Sequence, residues 1–84
     1  LVRDAFGDGY DYIKIDISFV RGLRSSADDR RVVEGIIGIA REFGLQTIAE
    51  GIEDEETQEL LREMGADYGQ GDLLGAAAPV RSGA

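Results

Sequence analysis

The sequence contains no cysteine, no histidine and no tryptophan, and it has one proline among 84 residues. Without cysteine, neither a disulfide nor a cysteine-bound metal can stabilise the chain, and this absence is compatible with a reducing cytoplasm. Without histidine, proton transfer near neutral pH must use a carboxylate, a lysine or a metal-bound water. No apolar run approaches the roughly 18–20 residues of a membrane span, and we do not interpret the first residues as a signal peptide. We therefore predict a cytoplasmic segment with no membrane contact of its own, although its parent protein could still be tethered to a membrane sensor.

Basic residues are also scarce. Nine lysines and arginines stand against 17 aspartates and glutamates, so the formal net charge is −8 at pH 7. Such a chain repels a polyanion, which argues against binding to long nucleic acid. A small phosphorylated ligand is still allowed, because clustered carboxylates can hold Mg²⁺ or Mn²⁺ and the metal then receives the phosphate.

The length allows one small domain or a piece of a larger one. A chain this short buries only about 60–65% of the surface that its unfolded form exposes, so it is marginally stable alone. It begins without methionine, which leads us to expect a segment cut from a longer protein. We expect the isolated chain either to form homo-oligomers through open strand edges or to be only partly ordered.

The apolar pattern predicts strands that alternate with helices. We predict strands at residues 10–17, 46–50 and 67–70, a helix at 29–43 capped by Asp28, and a second helix between Asp54 and Gly65. The remaining predictions are a helix end at 1–6, a loop at 18–27, and a flexible tail at 76–84 after a domain at 1–75. A helix, a glycine, a strand, a polar residue and a second glycine follow one another twice, at 41–51 and 62–71. This rhythm predicts a parallel β-α-β-α-β slice of a TIM-type α/β barrel.

Polar residues stand at the end of each predicted strand. Lys14 and Asp16 end the first strand, Glu50 ends the second and Gln70 ends the third. Because the carboxyl ends of parallel strands gather at one edge of a sheet, we expect Lys14, Glu50 and Gln70 to face one site. A carboxylate that binds metal or accepts a proton, a lysine that stabilises negative charge and an amide that orients a ligand together suit phosphodiester hydrolysis.

Three ordered motifs carry a family resemblance. They are residues 11–20, which contain Lys-Ile-Asp, residues 47–53, which contain Ala-Glu-Gly-Ile-Glu, and residues 69–75, which begin Gly-Gln-Gly. In their order and spacing they resemble the C-terminal part of an EAL domain. The resemblance implies a modified TIM barrel that hydrolyses cyclic di-GMP to the linear dinucleotide with two Mg²⁺ or Mn²⁺ ions. It further implies, as partners, the upstream part of the barrel and the regulatory domains of a parent chain.

The same resemblance implies a role for each matched residue. Lys14 matches the catalytic lysine that contacts the attacking water, and Glu50 matches a glutamate that is a metal ligand or general base. Gln70 matches the glutamine that orients ligand or water. Glu53 and Asp16 match supporting residues of the second shell.

Departures from the family keep a second interpretation open. The glutamate-alanine-leucine strand and the other metal-ligand strands are absent, so we expect the 84-residue chain alone to be inactive. Residues 4–7 only partly match a paired-aspartate metal motif, and we interpret them as a helix end and turn. Asp72 replaces a tyrosine, and residues 76–78 are all alanine. The alternative is a degenerate EAL-like domain that binds cyclic di-GMP or a protein partner without cutting it, and an unrelated βα-barrel fragment is a third interpretation.

Each site residue also has a structural interpretation. Lys14 could form an ion pair with Glu50 or Asp16, and Glu50 could cap the next loop. Gln70 alone is typical of a turn. Glu53 could be a helix N-terminal charge, which the helix dipole favours.

Overall fold

A computed structural model describes residues 1–3, 7 and 9–80, and within them it contains five strands and three helices. In chain order the elements are β1 (Val2–Arg3), β2 (Asp11–Ile15), α1 (Ile17–Arg21), α2 (Ala27–Glu42), β3 (Gln46–Glu50), α3 (Glu55–Met64), β4 (Tyr68–Gly71) and β5 (Gly75–Pro79).

The centre of the sheet is parallel. β2 pairs with β3 and β3 pairs with β4; the first crossover contains α1 and α2, and the second contains α3. Parallel neighbours need such crossovers because a tight turn cannot return the chain to the starting edge. The predicted parallel β-α-β-α-β arrangement is therefore confirmed.

Antiparallel strands flank this centre on both sides. The sheet order is β1-β2-β3-β4-β5, with β1 antiparallel to β2 and β5 antiparallel to β4. The sequence did not predict either strand. The predicted helix end at 1–6 is wrong at Val2–Arg3, and its residues 4–6 lie outside the described part of the chain. The predicted tail is wrong at 76–80, because β5 forms there and Val80 is buried in the core, whereas 81–84 lie outside the described residues.

The predicted loop at 18–27 is also wrong, because α1 occupies its first part. Asp16 caps this helix, and its carboxylate accepts hydrogen bonds from the Ser18 backbone at 3.0 Å and from the Ser18 hydroxyl at 2.6 Å. The cap of α2 is Ser26 rather than Asp28, since the Ser26 hydroxyl accepts a hydrogen bond from the Asp29 backbone. Asp28 lies in the first turn, where the helix dipole favours a carboxylate.

One face of the sheet packs against the helices. Ile15, Ala49 and Gly69 are aligned across the three parallel strands, and all three are buried. Buried residues from α1, α2, α3 and the loops complete the core: Val20, Leu23, Val33, Ile37, Ile52, Leu61, Ala66 and Val80. Because side chains alternate along a strand, the opposite face carries the polar strand-end residues.

A pair of side-chain to backbone hydrogen bonds ties β3 to the entrance of β4. The Asp67 carboxylate accepts a hydrogen bond from the buried Thr47 backbone N–H at 3.0 Å, and the Asp67 backbone donates to the Thr47 hydroxyl at 3.2 Å. These bonds satisfy backbone groups that are otherwise costly to bury, so they hold the two strands in register.

The two aspartate caps make stability depend on pH. Hydrogen bonds from the Ser18 hydroxyl and backbone lower the pKa of Asp16 below its ordinary value of 3.8. Hydrogen bonds from the Thr57 backbone and hydroxyl, with a smaller contribution from Arg24, lower the pKa of Asp54 in the same direction. In both cases the folded carboxyl binds a proton more weakly than the unfolded one, so the caps stabilise the fold above the ordinary value and this contribution is lost as pH falls through the lowered pKa.

We therefore expect the free energy of unfolding of the complete domain to decrease as the pH is lowered from about 5 to about 2. This range extends roughly one to two pH units on either side of the ordinary carboxyl pKa. Urea denaturation at several pH values measures this. Asp54→Asn keeps a capping oxygen but cannot titrate, so its pH dependence should be shallower. An identical slope in Asp54→Asn would contradict the role of this carboxylate.

Candidate active site

The three strand-end residues lie on one face of the sheet. Glu50, the last residue of β3, is opposite Gln70 of β4 in the parallel register. Lys14 of β2 is opposite Ile48, which is two residues before Glu50 and therefore on the same face. The structure thus places all three predicted residues on one face, with Glu50 beside Gln70 and with Lys14 near Glu50 but outside the cleft that Glu50 and Gln70 line.

Lys14 and Glu50 form a loose ion pair. The Lys14 Nζ lies 3.9 Å from the Glu50 Oε1, and the two side chains are 45% and 31% exposed. This separation is longer than a hydrogen bond, so both groups keep most of their capacity for another partner. Partial exposure also makes both atoms accessible to water or to a ligand.

Aromatic residues lie below the polar groups on the same face. The rings of Tyr12 and Tyr68 meet edge to face, with centroids 5.7 Å apart, and Tyr12 is fully buried. Edge-to-face contact is a favourable geometry for two aromatic rings. The two tyrosines therefore form a packed base on β2 and β4, between which Ile48 of β3 is also buried.

Glu50 and Gln70 line one cleft of 640 Å³. The cleft lies at the carboxyl end of the parallel strands, where enzymes of parallel α/β architecture bind their ligands. The other residues that line it are Ile17, Arg21, Gly51, Glu53, Gly71, Asp72 and Gly75. Arg21 was not predicted from the sequence, because its segment was interpreted as a loop.

Two glycines let the loops after β3 and β4 approach each other. Gly51 follows Glu50 with φ +80°, and Gly71 follows Gln70 with φ +145°. A Cβ on Gly71 would lie 2.5 Å from the backbone N and O of Ile52. In this close contact the Ile52 N–H donates to the Gln70 carbonyl at 3.0 Å, and the Leu73 N–H donates to the Ile52 carbonyl at 3.1 Å. The backbone therefore fixes the position of Gln70 relative to Glu50.

The two supporting carboxylates have different surroundings. Glu53 lines the cleft and forms an ion pair with Arg21, whose Nη2 lies 3.7 Å from the Glu53 Oε1. Asp16 is exposed and caps α1 through Ser18, and it is not among the residues that line the cleft. Glu53 thus shares the cleft with Glu50 and Gln70. Asp16 instead caps α1, the helix that carries Arg21.

The described residues do not by themselves complete a metal site. Within residues 1–3, 7 and 9–80, no group of three or more carboxylates is arranged to hold a metal ion. Glu50 can contribute one carboxylate ligand at the cleft, and hard divalent cations need several oxygen ligands. Asp4, Ala5 and Phe6 of the partly matching metal motif lie outside the described residues.

Comparison with known proteins agrees with this arrangement. The EAL domain family model matches residues 9–77. Cyclic di-GMP phosphodiesterase PdeB of Shewanella oneidensis is 34% identical over 90 residues, which cover 94% of this chain and 10% of that protein. The bifunctional diguanylate cyclase/cyclic di-GMP phosphodiesterase MucR of Pseudomonas aeruginosa is 36% identical over 88 residues, which cover 92% of this chain and 12% of that protein. The chain thus spans about a tenth of the length of these relatives.

Solved structures are similar over most of the chain. The MucR phosphodiesterase in complex with cyclic di-GMP superimposes with a TM-score of 0.74 at 35% identity, and the match covers 92% of this chain and 35% of that one. Klebsiella pneumoniae BlrP1 superimposes with a TM-score of 0.74 at 27% identity over 84% of this chain. BlrP1 was solved with cyclic di-GMP and no metal ions, and also as a manganese complex with cyclic di-GMP. The match covers 19% of the first chain and 18% of the second.

These matches identify the strands and helices as part of a TIM-barrel-like fold, as predicted. They also set aside the interpretation as an unrelated βα-barrel fragment. No helix in the described part of the chain is long and apolar enough to cross a membrane. The family model covers most of the chain and includes all three polar strand ends, so the chain belongs to the EAL domain family.

Proposed function

We propose that this chain forms the C-terminal part of a phosphodiesterase that hydrolyses cyclic di-GMP to the linear dinucleotide. The observation that supports it most directly is the convergence of Lys14, Glu50 and Gln70 at one end of three adjacent parallel strands. The relatives named as cyclic di-GMP phosphodiesterases support the substrate, since their matched segments span nearly the whole of this chain.

Each of the three side chains has a part in the proposed reaction. The oxygen of a water molecule forms a bond to phosphorus while one ester P–O bond breaks, and the released ester oxygen takes up a proton. Glu50 can accept the proton that the attacking water loses, and Lys14 can stabilise the negative charge that develops on the phosphate oxygens. Gln70 can orient the water or the ligand because its amide both donates and accepts hydrogen bonds.

The complete domain is proposed to require Mg²⁺ or Mn²⁺. A divalent ion would stabilise charge on the phosphate, and Glu50 would supply one of its ligands. The manganese complex of BlrP1 supports a divalent cation in this family. Further ligands would come from the upstream part of the barrel, since the described residues contain no complete group of carboxylates.

A binding module without catalysis is a second candidate. Asp72 stands where the family has a tyrosine, and it adds a carboxylate to a cleft that already contains Glu50 and Glu53. Three carboxylates disfavour an anionic ligand unless cations offset them. A domain of this kind would bind a protein partner, or cyclic di-GMP where cations offset the carboxylates, and leave the dinucleotide intact.

The experiment compares the complete EAL domain with the isolated 84-residue chain. With cyclic di-GMP and Mg²⁺ or Mn²⁺, we expect the complete domain to release the linear dinucleotide, measured by chromatography. We expect no turnover from the isolated chain, because it lacks the other metal ligands. Binding without any linear product would favour the binding module, and absence of both binding and turnover in the complete domain would overturn the proposed function.

A further inference from the structure

The cleft that contains Glu50 and Gln70 has one cationic residue among the residues that line it. This residue is Arg21, whereas Glu50, Glu53 and Asp72 contribute three carboxylates. A cyclic dinucleotide carries two phosphate charges, so it would meet a wall that is mainly negative. A cation on this wall would lower the electrostatic cost of binding.

Short-range structure determines where Arg21 lies. Asp16 caps α1 directly after β2, so the helix begins at the carboxyl end of the sheet. Arg21 is in the last turn of this short helix and borders the cleft. Asp16 therefore fixes the start of the helix whose last turn places Arg21 at the cleft. In this way Asp16 affects the site without lining it.

Glu53 forms an ion pair with Arg21 but does not engage all of its hydrogen-bond donors. The Arg21 Nη2 is 3.7 Å from the Glu53 Oε1, and the side chains are 63% and 50% exposed. This distance exceeds that of a charge-assisted hydrogen bond, so the guanidinium keeps donors free for a ligand. The planar guanidinium can donate two parallel hydrogen bonds to a phosphate, which a lysine cannot do.

The neighbouring Arg24, unlike Arg21, is fully engaged by carboxylates. It borders an adjacent cleft of 380 Å³, which shares Arg21 and Glu53 with the first. Arg24 lies 3.3 Å from Asp54 and 3.1 Å from Glu56, so two carboxylates already offset its charge. Of these two neighbouring arginines, Arg21 has the longer ion pair and the position beside Glu50 and Gln70.

We propose that Arg21 is a substrate-binding residue that contacts a phosphate of the cyclic dinucleotide, with Glu53 holding its guanidinium in place. This inference rests on the proposed function, because it takes cyclic di-GMP as the ligand. It gives Glu53 a specific task, which is to position a cation at the rim of the cleft.

The test measures the dissociation constant of cyclic di-GMP for the complete domain in the presence of a chelator. Without metal ions, only protein cations offset the phosphate charges. The contribution of Arg21 to the affinity is therefore larger in the chelator than in the presence of metal. We expect Arg21→Gln to raise the dissociation constant about 10-fold, since hydrogen bonds to charged groups are strong but exposure screens them. The dissociation constant of Arg21→Lys should lie between those of the wild type and Arg21→Gln, because lysine keeps the charge and loses the bidentate geometry.

Arg31→Gln is the matched control. Arg31 is 81% exposed on α2 and forms a loose ion pair of 3.9 Å with Asp28, so the variant removes the same charge away from the cleft. Its dissociation constant should stay within about 2-fold of the wild type, because screened distant charges contribute little. Wild-type affinity in Arg21→Gln, or an equal loss in Arg31→Gln, would overturn the role of Arg21. A wild-type domain that neither binds nor cuts the dinucleotide would instead overturn the proposed function on which this inference rests.

Discussion

Glu50→Gln in the complete domain should lower the rate of cyclic di-GMP hydrolysis by at least about 100-fold, the usual scale of a general acid–base contribution. The substitution preserves size and hydrogen bonding but removes the charge that accepts a proton or binds a metal. It also removes the anionic partner of Lys14, which lies 3.9 Å away. Glu50→Ala and Lys14→Ala should reduce turnover to a similar or greater extent. Steady-state release of the linear dinucleotide measures all three.

Glu63→Gln provides the control for this experiment. Glu63 is exposed on α3 and does not line the cleft, so the charge change is the same and the surroundings differ. Its turnover should remain close to that of the wild type, and thermal melts should show that every variant is folded. Unchanged turnover in Glu50→Gln and Lys14→Ala would remove these residues from the reaction, and the binding module would then be the better description.

Gly71→Ala should destabilise the complete domain by about 3–5 kcal/mol, because overpacking and an unfavourable backbone conformation add together. The added Cβ would lie 2.5 Å from the backbone N and O of Ile52, and a backbone segment cannot move aside as a flexible side chain can. The φ of +145° is in addition rare for residues other than glycine. Because Ile52 also holds the Gln70 carbonyl, turnover should fall with stability. Urea denaturation measures the change in free energy.

Gly38→Ala is the matched control for Gly71→Ala. Gly38 lies within α2, where a Cβ would have no neighbour within 4 Å. The same chemical change should therefore stabilise the domain by up to about 1 kcal/mol, the difference in helix propensity between glycine and alanine. A small effect at Gly71, similar in size to that at Gly38, would contradict the close contact with Ile52.

The parallel centre of the fold could be predicted because its signals are local. The end of β3 at Glu50 followed from a buried apolar run and a glycine, and the Asp54 cap of α3 followed from its position before two glutamates. The meeting of Lys14, Glu50 and Gln70 on one face followed from the two-residue period of strands and from parallel order. Their roles in catalysis stay predictions.

Competing uses of the same residue explain several errors. Asp16 stands at the end of a predicted strand, which suggests a site residue or an ion-pair partner of Lys14 and does not reveal that it caps α1, the helix that carries Arg21. Ser26 caps α2 because its hydroxyl reaches the Asp29 backbone, although the aspartates that follow suggested a later start. Val32 and Phe43 follow the apolar spacing of α2 yet are exposed, so the spacing alone does not determine which of its residues reach the sheet.

The flanking strands could not be predicted because pairing, not composition, creates them. β5 consists of glycine, three alanines and proline, none of which favours a strand on its own. It forms because it pairs with β4 and because Val80 is buried beside it in the core. β1 has only two residues, too few for any period to be recognised.

The strand order also has a consequence for how the sheet assembles. Each of the five strands pairs only with its neighbours in the chain, so order in space equals order of synthesis. No strand has to wait for a partner from the far end of the segment, and each parallel pair, such as Tyr12 with Gln46, closes only after its helical crossover has been made. The sheet can therefore grow from β1 to β5 as the polypeptide leaves the ribosome, with each completed pair providing the edge for the next.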